Sequence, residues 1–103
     1  MNKQQFLESI ENSYKEAMEI IEKKNADYAV ESNPFRNFEY ATYCNVSVEK
    51  AILVRISDKF ARLANLIDKG EENRQVLDET TADTIVDICN YLVILKAYME
   101  DKK

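Results

Sequence analysis

One glycine and one proline, Gly70 and Pro34, are the only strong backbone punctuation in a chain of 103 residues. An average domain carries roughly 7% Gly and 5% Pro, so conformations that demand a positive or a fixed φ are scarce here. β-Hairpins and Greek keys need such residues at their reversals; long helices do not. Glycine-rich phosphate loops and dinucleotide-binding turns need several glycines in a short window, which excludes them. The chain also has no His. Ser-His-Asp and Cys-His nucleophile pairs and histidine metal ligands are therefore excluded too. The expected fold class is all-α, and any chemistry falls to carboxylates, Lys/Arg, hydroxyls and amides.

Apolar periodicity places the elements. From Asn2 to Lys24, Phe6, Leu7, Ile10, Tyr14, Ala17, Met18 and Ile21 recur at helical spacing, which predicts an amphipathic helix with an acidic outer face. Residues Asn25–Phe38 break the pattern and read as an aromatic loop, with Asn33 biased away from helix by Pro34. Phe38–Cys44 fits a short helix. Ser47 is a suitable N-cap, with Glu49 in the first turn, for a long helix to about Lys69 that Gly70 ends. Glu71–Leu77 is a polar connection, and Asp78 is the expected N-cap of a last helix running to about Glu100. The expected architecture is one domain, residues 1–103: an antiparallel helical bundle of three long helices, a short helix and an aromatic loop.

Size and charge narrow the partners. A chain this short buries only ~60–70% of its unfolded surface, so apolar helix faces stay uncovered and a homo-oligomer, dimer or tetramer, is expected. With 14 basic and 19 acidic side chains, the net charge is −5, the wrong sign for bulk nucleic-acid binding. Met1–Ile10 is polar and lacks an apolar h-region, so no signal peptide is expected. No apolar run reaches the ~18 residues of a membrane span. Cys44 and Cys89 read as two buried free thiols in a reducing cytoplasm.

Two polar stripes cross the apolar helices. With Glu79 at zero, Asp83 lies at about 40°, Asp87 at about 80° and Asn90 at about 20° around the last helix. Between Thr84 and Ala97 the only strongly polar residues are Asp87, Asn90 and Lys96, so Asp87 and Asn90 are expected to point inward. A carboxylate there must be paired, hydrogen-bonded or metal-bound. On the preceding helix Arg55, Asp58, Arg62 and Asn65 form a matching stripe with Lys59 at its edge. A short connection makes these helices antiparallel neighbours, so the stripes are placed to face each other. One reading is a salt-bridge network in which Arg55, Lys59 and Arg62 neutralise Glu79, Asp83 and Asp87. The other assigns Asp58, Glu79, Asp83 and Asp87 to Mg²⁺, with the cations holding an anionic substrate.

Three segments together, KNADYAVESNPFRNF, ILVRISDKFARLANLI and LDETTADTIVDICNY, resemble the nucleotide modification associated family, a domain frequent in bacteriophages. The chain is similar, more distantly, to the MazG-like all-α nucleoside triphosphate pyrophosphatases. The likeness spans about Lys24 to Tyr98, with Lys24-Asn25-x-Asp27-Tyr28, Arg55-Ile56-Ser57-Asp58-Lys59 and Glu79-x-x-x-Asp83-Thr84-x-x-Asp87 at its centre. It implies an oligomeric helical protein with a Mg²⁺-dependent nucleotide site and hydrolysis between the α- and β-phosphates. Asp58, Glu79, Asp83 and Asp87 would then be metal-binding and catalytic, activating water for in-line attack. Arg55, Lys59 and Arg62 would stabilise phosphate charge. The long helix lacks the E-E-x-x-E run of MazG proteins and the last helix spaces its acids by four. Nucleotide binding without hydrolysis is the alternative within the same likeness. Glu16, Glu19 and Glu22 are either further ligands or a solvated acidic face.

The loop suits a nucleotide site. Tyr28, Phe35 and Phe38 are candidates for stacking on a base, with Asn25, Asn33 and Asn37 placed to read its edge. Lys24 and Arg36 are phosphate candidates, and Asp27 and Asn90 complete the substrate-binding set. Phe35 and Phe38 equally suit core plugs. The leading expectation is a cytoplasmic Mg²⁺-dependent nucleotide pyrophosphohydrolase, or a nucleotide-binding relative, in phage or bacterial nucleotide metabolism. The alternative from another class is a non-catalytic phage interaction protein that binds a host protein through its acidic helical surface. A purely structural helical oligomer is the third.

Overall fold

A computed structural model describes the backbone of residues 1–28, 33–70 and 79–102, and every side chain within them except those of 25–28, 70 and 79. All regular structure in these residues is helical: α1 (Lys3–Tyr28), α2 (Arg36–Glu39), a 3₁₀ turn (Tyr40–Cys44), α3 (Val48–Gly70) and α4 (Glu79–Asp101). None of these helices is long and apolar enough to cross a membrane.

Each described start and stop has a local cause. Asn2 and Gln5 cap α1 reciprocally: the Gln5 N–H donates to Asn2 Oδ1 at 2.8 Å and the Asn2 N–H to Gln5 Oε1 at 3.0 Å. The helix then runs past the expected break at Asn25 and reaches Tyr28. Asn, Ala and Asp cost a helix only fractions of a kcal/mol each, and no proline intervenes before Pro34. Asn33 opens a tight turn through Pro34, where its Oδ1 accepts from the Phe35 N–H at 3.1 Å. The 3₁₀ turn ends in a Schellman pattern, with the Val46 N–H on the Ala41 carbonyl and the Asn45 N–H on the Thr42 carbonyl. Asn45 takes the left-handed position, φ 60°, that a glycine would usually fill. Ser47 caps α3 as expected, its Oγ accepting from the Lys50 N–H at 3.2 Å. The Glu71–Leu77 connection and the Asp78 cap lie outside the described residues.

The core sits where α3 and α4 meet, under α2. Ile52 is 0% exposed and packs with Phe38 and Val48, and Ile56, Tyr91, Ile94, Leu95 and Tyr98 close around them. Lys59 meets Asp87 while Ile52 sits among residues beyond 90, so α3 and α4 run antiparallel. At the far end Lys102 stacks on Tyr98 at 5.1 Å. Hydrogen bonding to Tyr98, then attraction from Glu49, raises the Lys102 pKa above its ordinary value.

α1 joins only by its second half. The Asn90 side-chain amide donates to the Ala17 carbonyl at 3.1 Å, and Lys24 reaches Asp87. Residues 1–16 are all exposed, including the apolar stripe of Phe6, Leu7, Ile10 and Tyr14. The expectation of two buried thiols also fails: Cys44 and Cys89 are both exposed in the single chain. Cys44 ends the surface 3₁₀ turn, and Cys89 lies on the exposed surface of α4.

Candidate functional site

A cleft of about 590 Å³ opens where the second half of α1, the Pro34 turn, α3 and α4 converge. That volume lies within the ~300–1,000 Å³ of small-molecule sites. Ile21, Phe35, Phe38, Tyr91, Ile94 and Ala97 supply its apolar walls, and Lys24, Arg55, Asp87 and Asn90 its polar groups.

The aromatic walls are held by one another. Phe38 meets Tyr91 edge-on at 6.2 Å between centroids, and Phe35 meets Tyr98 edge-on at 5.2 Å. Phe38 is a core plug, buried beneath the cleft, while Phe35 is half-buried at its wall. The Arg55 guanidinium lies over the Phe38 ring at 4.9 Å, which holds a cation at the cleft with no carboxylate paired to it among the described residues.

Asp87 is the electrostatic hinge. Lys24 Nζ stands 3.0 Å from its Oδ1 and Lys59 Nζ 3.2 Å from its Oδ2. The carboxylate is 16% exposed, so the two ammonium groups supply the pairing that burial demands. Two cations on one anion leave a net positive charge. Beyond Lys59 a second, shallower groove of about 520 Å³ runs along α3 between Asp58, Arg62, Asn65, Leu66 and Lys69. The cleft and the groove share the Lys59–Asp87 pair. Among the described residues their charged groups, five cations (Lys24, Arg55, Lys59, Arg62, Lys69) against Asp58 and Asp87, sum to +3 on a chain of −5.

Several expected site residues take other places. Asp58 and Asp83 are exposed, and among the described residues no three Asp, Glu or Cys groups gather as a metal-binding set. Of the proposed network between the stripes, the Lys59–Asp87 bridge is present among the described residues. The second cation on Asp87 is Lys24, assigned from sequence to phosphate. Asn90 is buried and ties α1 to α4, with one edge still in the cleft wall. Asn33 is engaged at both ends, its Nδ2 donating to Glu39 Oε1 at 2.6 Å. Arg36 is exposed and lies over Tyr40 at 5.6 Å, away from the cleft. Hydrogen bonding to Tyr40 pushes its pKa above the ordinary value. The side chains of Asn25, Asp27, Tyr28 and Glu79 lie outside the described residues.

Sequence reasoning missed Ile21, Tyr91, Ile94 and Ala97 as cleft walls. Their helical spacing signals only an apolar face, and nothing local separates a wall from a core residue. Lys69 was likewise read only as a helix end. Comparison with family models, with curated proteins and with solved structures finds no match to this chain.

Proposed function

We propose that the cleft and the adjoining cationic groove bind a nucleotide, with the base against the apolar walls and the phosphates along the groove. One observation carries the reading: an aromatic-walled pocket continues into a locally basic surface on an acidic chain. Electrostatic focusing by such a groove favours an anion, and the apolar end favours a planar ring. Arg55, Lys59 and Arg62 are the phosphate-binding residues of this reading, and Tyr91 and Phe35 its base-facing walls. The sequence likeness to nucleotide-handling families points to the same ligand class. The finer architecture belongs to the proposal as well: an antiparallel bundle of the three long helices, acting as a homo-oligomer in phage or bacterial nucleotide metabolism.

Hydrolysis with Mg²⁺ is a separate step. The described carboxylates do not fit a metal site, because Asp87 is already held by two lysines and Asp58 and Asp83 point to solvent. The proposal is therefore binding first. The fully exposed first half of α1, with its acids, favours the second reading, a host-protein interaction module.

A thermal-shift panel separates the two, since only a ligand of the native state raises the midpoint. Nucleoside triphosphates are expected to raise it more than either the nucleoside or pyrophosphate alone, and Arg55→Ala is expected to remove most of the shift. No response to any ribo- or deoxyribonucleotide at millimolar concentration rejects the nucleotide reading. An added Mg²⁺ arm reads the metal: a further rise, with pyrophosphate release lost in Asp83→Asn, would establish the hydrolase.

A further inference from the structure

We infer that Asp87 is a specificity-determining residue of the phosphate path: it occupies the middle cation of a row along α3, so a polyphosphate chain reaches Lys59 only by displacing the Asp87 carboxylate. The inference rests on the phosphate half of the reading above, and the base-facing walls play no part in it.

Three cations set the path. Arg55, Lys59 and Arg62 follow one another at i, i+4 and i+7 on α3. At 100° per residue they stay within about 60° of one another around the helix. Lys59 stands about 6 Å along the axis from Arg55, and Arg62 about 4.5 Å further on. Arg55 lines the cleft, while Lys59 and Arg62 line the groove, so the row leads from one into the other.

The three cations differ in what already holds them. Among the described residues neither Arg55 nor Arg62 is paired with a carboxylate. Arg55 rests on the Phe38 ring, and Arg62 is exposed. Lys59 is taken, with its Nζ 3.2 Å from Asp87 Oδ2. That pair is sheltered, with Lys59 34% and Asp87 16% exposed, so salt weakens it less than an open surface pair.

Lys24 makes the exchange possible. It holds the other carboxylate oxygen, Oδ1, at 3.0 Å. A phosphate that takes Lys59 therefore leaves Asp87 with one ammonium partner, and no buried charge is orphaned. Phosphate and carboxylate offer a cation the same kind of charge-assisted bond, so the exchange at Lys59 gains little by itself. A single phosphate on Arg55 meets an open guanidinium and leaves the Lys59–Asp87 pair intact. A longer chain running toward Arg62 must contest Lys59 with Asp87. Asp87 thus sets a cost that falls on polyphosphates and spares a single phosphate.

Calorimetric titration of the full chain with inorganic orthophosphate and with tripolyphosphate tests this without any base. Physiological ionic strength is used, because charges more than about 8 Å apart are then largely screened. In Asp87→Asn, tripolyphosphate is expected to bind about tenfold tighter, the scale of one hydrogen bond to a charged group, while orthophosphate changes by less than about twofold. Asp58→Asn removes the same charge from the groove but frees no lysine, and is expected to give a clearly smaller gain. Adding Lys59→Gln to Asp87→Asn is expected to cancel the gain. In the unsubstituted protein, whose reading depends on no variant folding, the Asp87 carboxyl ¹³C resonance is expected to move with tripolyphosphate and to stay with orthophosphate. Equal gains in Asp87→Asn and Asp58→Asn, equal gains for both anions, an Asp87 resonance unmoved by saturating tripolyphosphate, or no tripolyphosphate binding at all overturns the inference. Nucleotides that bind the unsubstituted protein and Asp87→Asn equally well reject this role for Asp87 and leave the nucleotide reading standing. Nucleotides that fail to bind, while tripolyphosphate shows the expected pattern, reject the base half of that reading and leave Asp87 in this role.

Discussion

The two sides of the α3–α4 pair are built from the same helices and the same kind of apolar spacing, yet they end differently. On the cleft side, α1 and the Pro34 turn cover the pair, Phe38 fills the gap, and Asp87 is paired twice. On the other side, Leu53, Phe60, Leu92 and Met99 stand exposed. Periodicity says that a face wants covering, but not by what. The covered side acquires polar groups because a cleft forms where three elements meet imperfectly. The uncovered side stays apolar, in the manner of half a core.

The comparison breaks most completely if the shared support is removed. Ile52 is 0% exposed and lies between the two sides. Ile52→Ala is expected to cost about 2–5 kcal/mol, a large part of the stability of a core this small, read as a drop in the urea midpoint. Asp87→Asn strikes the cleft side alone. It leaves Lys24 and Lys59 facing each other without their carboxylate, a loss of roughly 1–2 kcal/mol, between the values for exposed and for fully buried pairs. Added salt should recover part of the loss by screening the two ammonium groups from each other. An equal loss at low and high salt would place the effect elsewhere than in the two lysines. An effect of comparable size, but confined to the backbone of one turn, is expected at Asn45, whose left-handed φ ends the 3₁₀ turn. Asn45→Ala is expected to cost ~1–2 kcal/mol, while Asn45→Gly should stay near the unsubstituted protein. Equal losses in both would place the effect in the side chain instead of the backbone.

How much of this was legible from sequence differs by element. The helix classes, the Ser47 cap and the position of α4 were readable, because apolar spacing and capping chemistry are local. The end of α1 was not. Asn25, Ala26 and Asp27 tolerate both helix and turn, and the helix continues to Tyr28. The site was half legible. Asp87 was expected to point inward and does, and Lys59 faces it. Lys24 and Asn90 were read as ligand contacts, but their described partners are Asp87 and Ala17, which lie 63 and 73 residues away. No local pattern encodes such partners.

One Gly, one Pro and no His restricted this chain to helices and to carboxylate, amide and cationic chemistry before any fold was known. That follows from backbone sterics and side-chain inventory, which are properties of residues taken singly. Only the tertiary structure decided which apolar face became a cleft wall and which stayed open, and which cations met Asp87. Those outcomes depend on rotations and distances between helices, which the period of one helix does not contain.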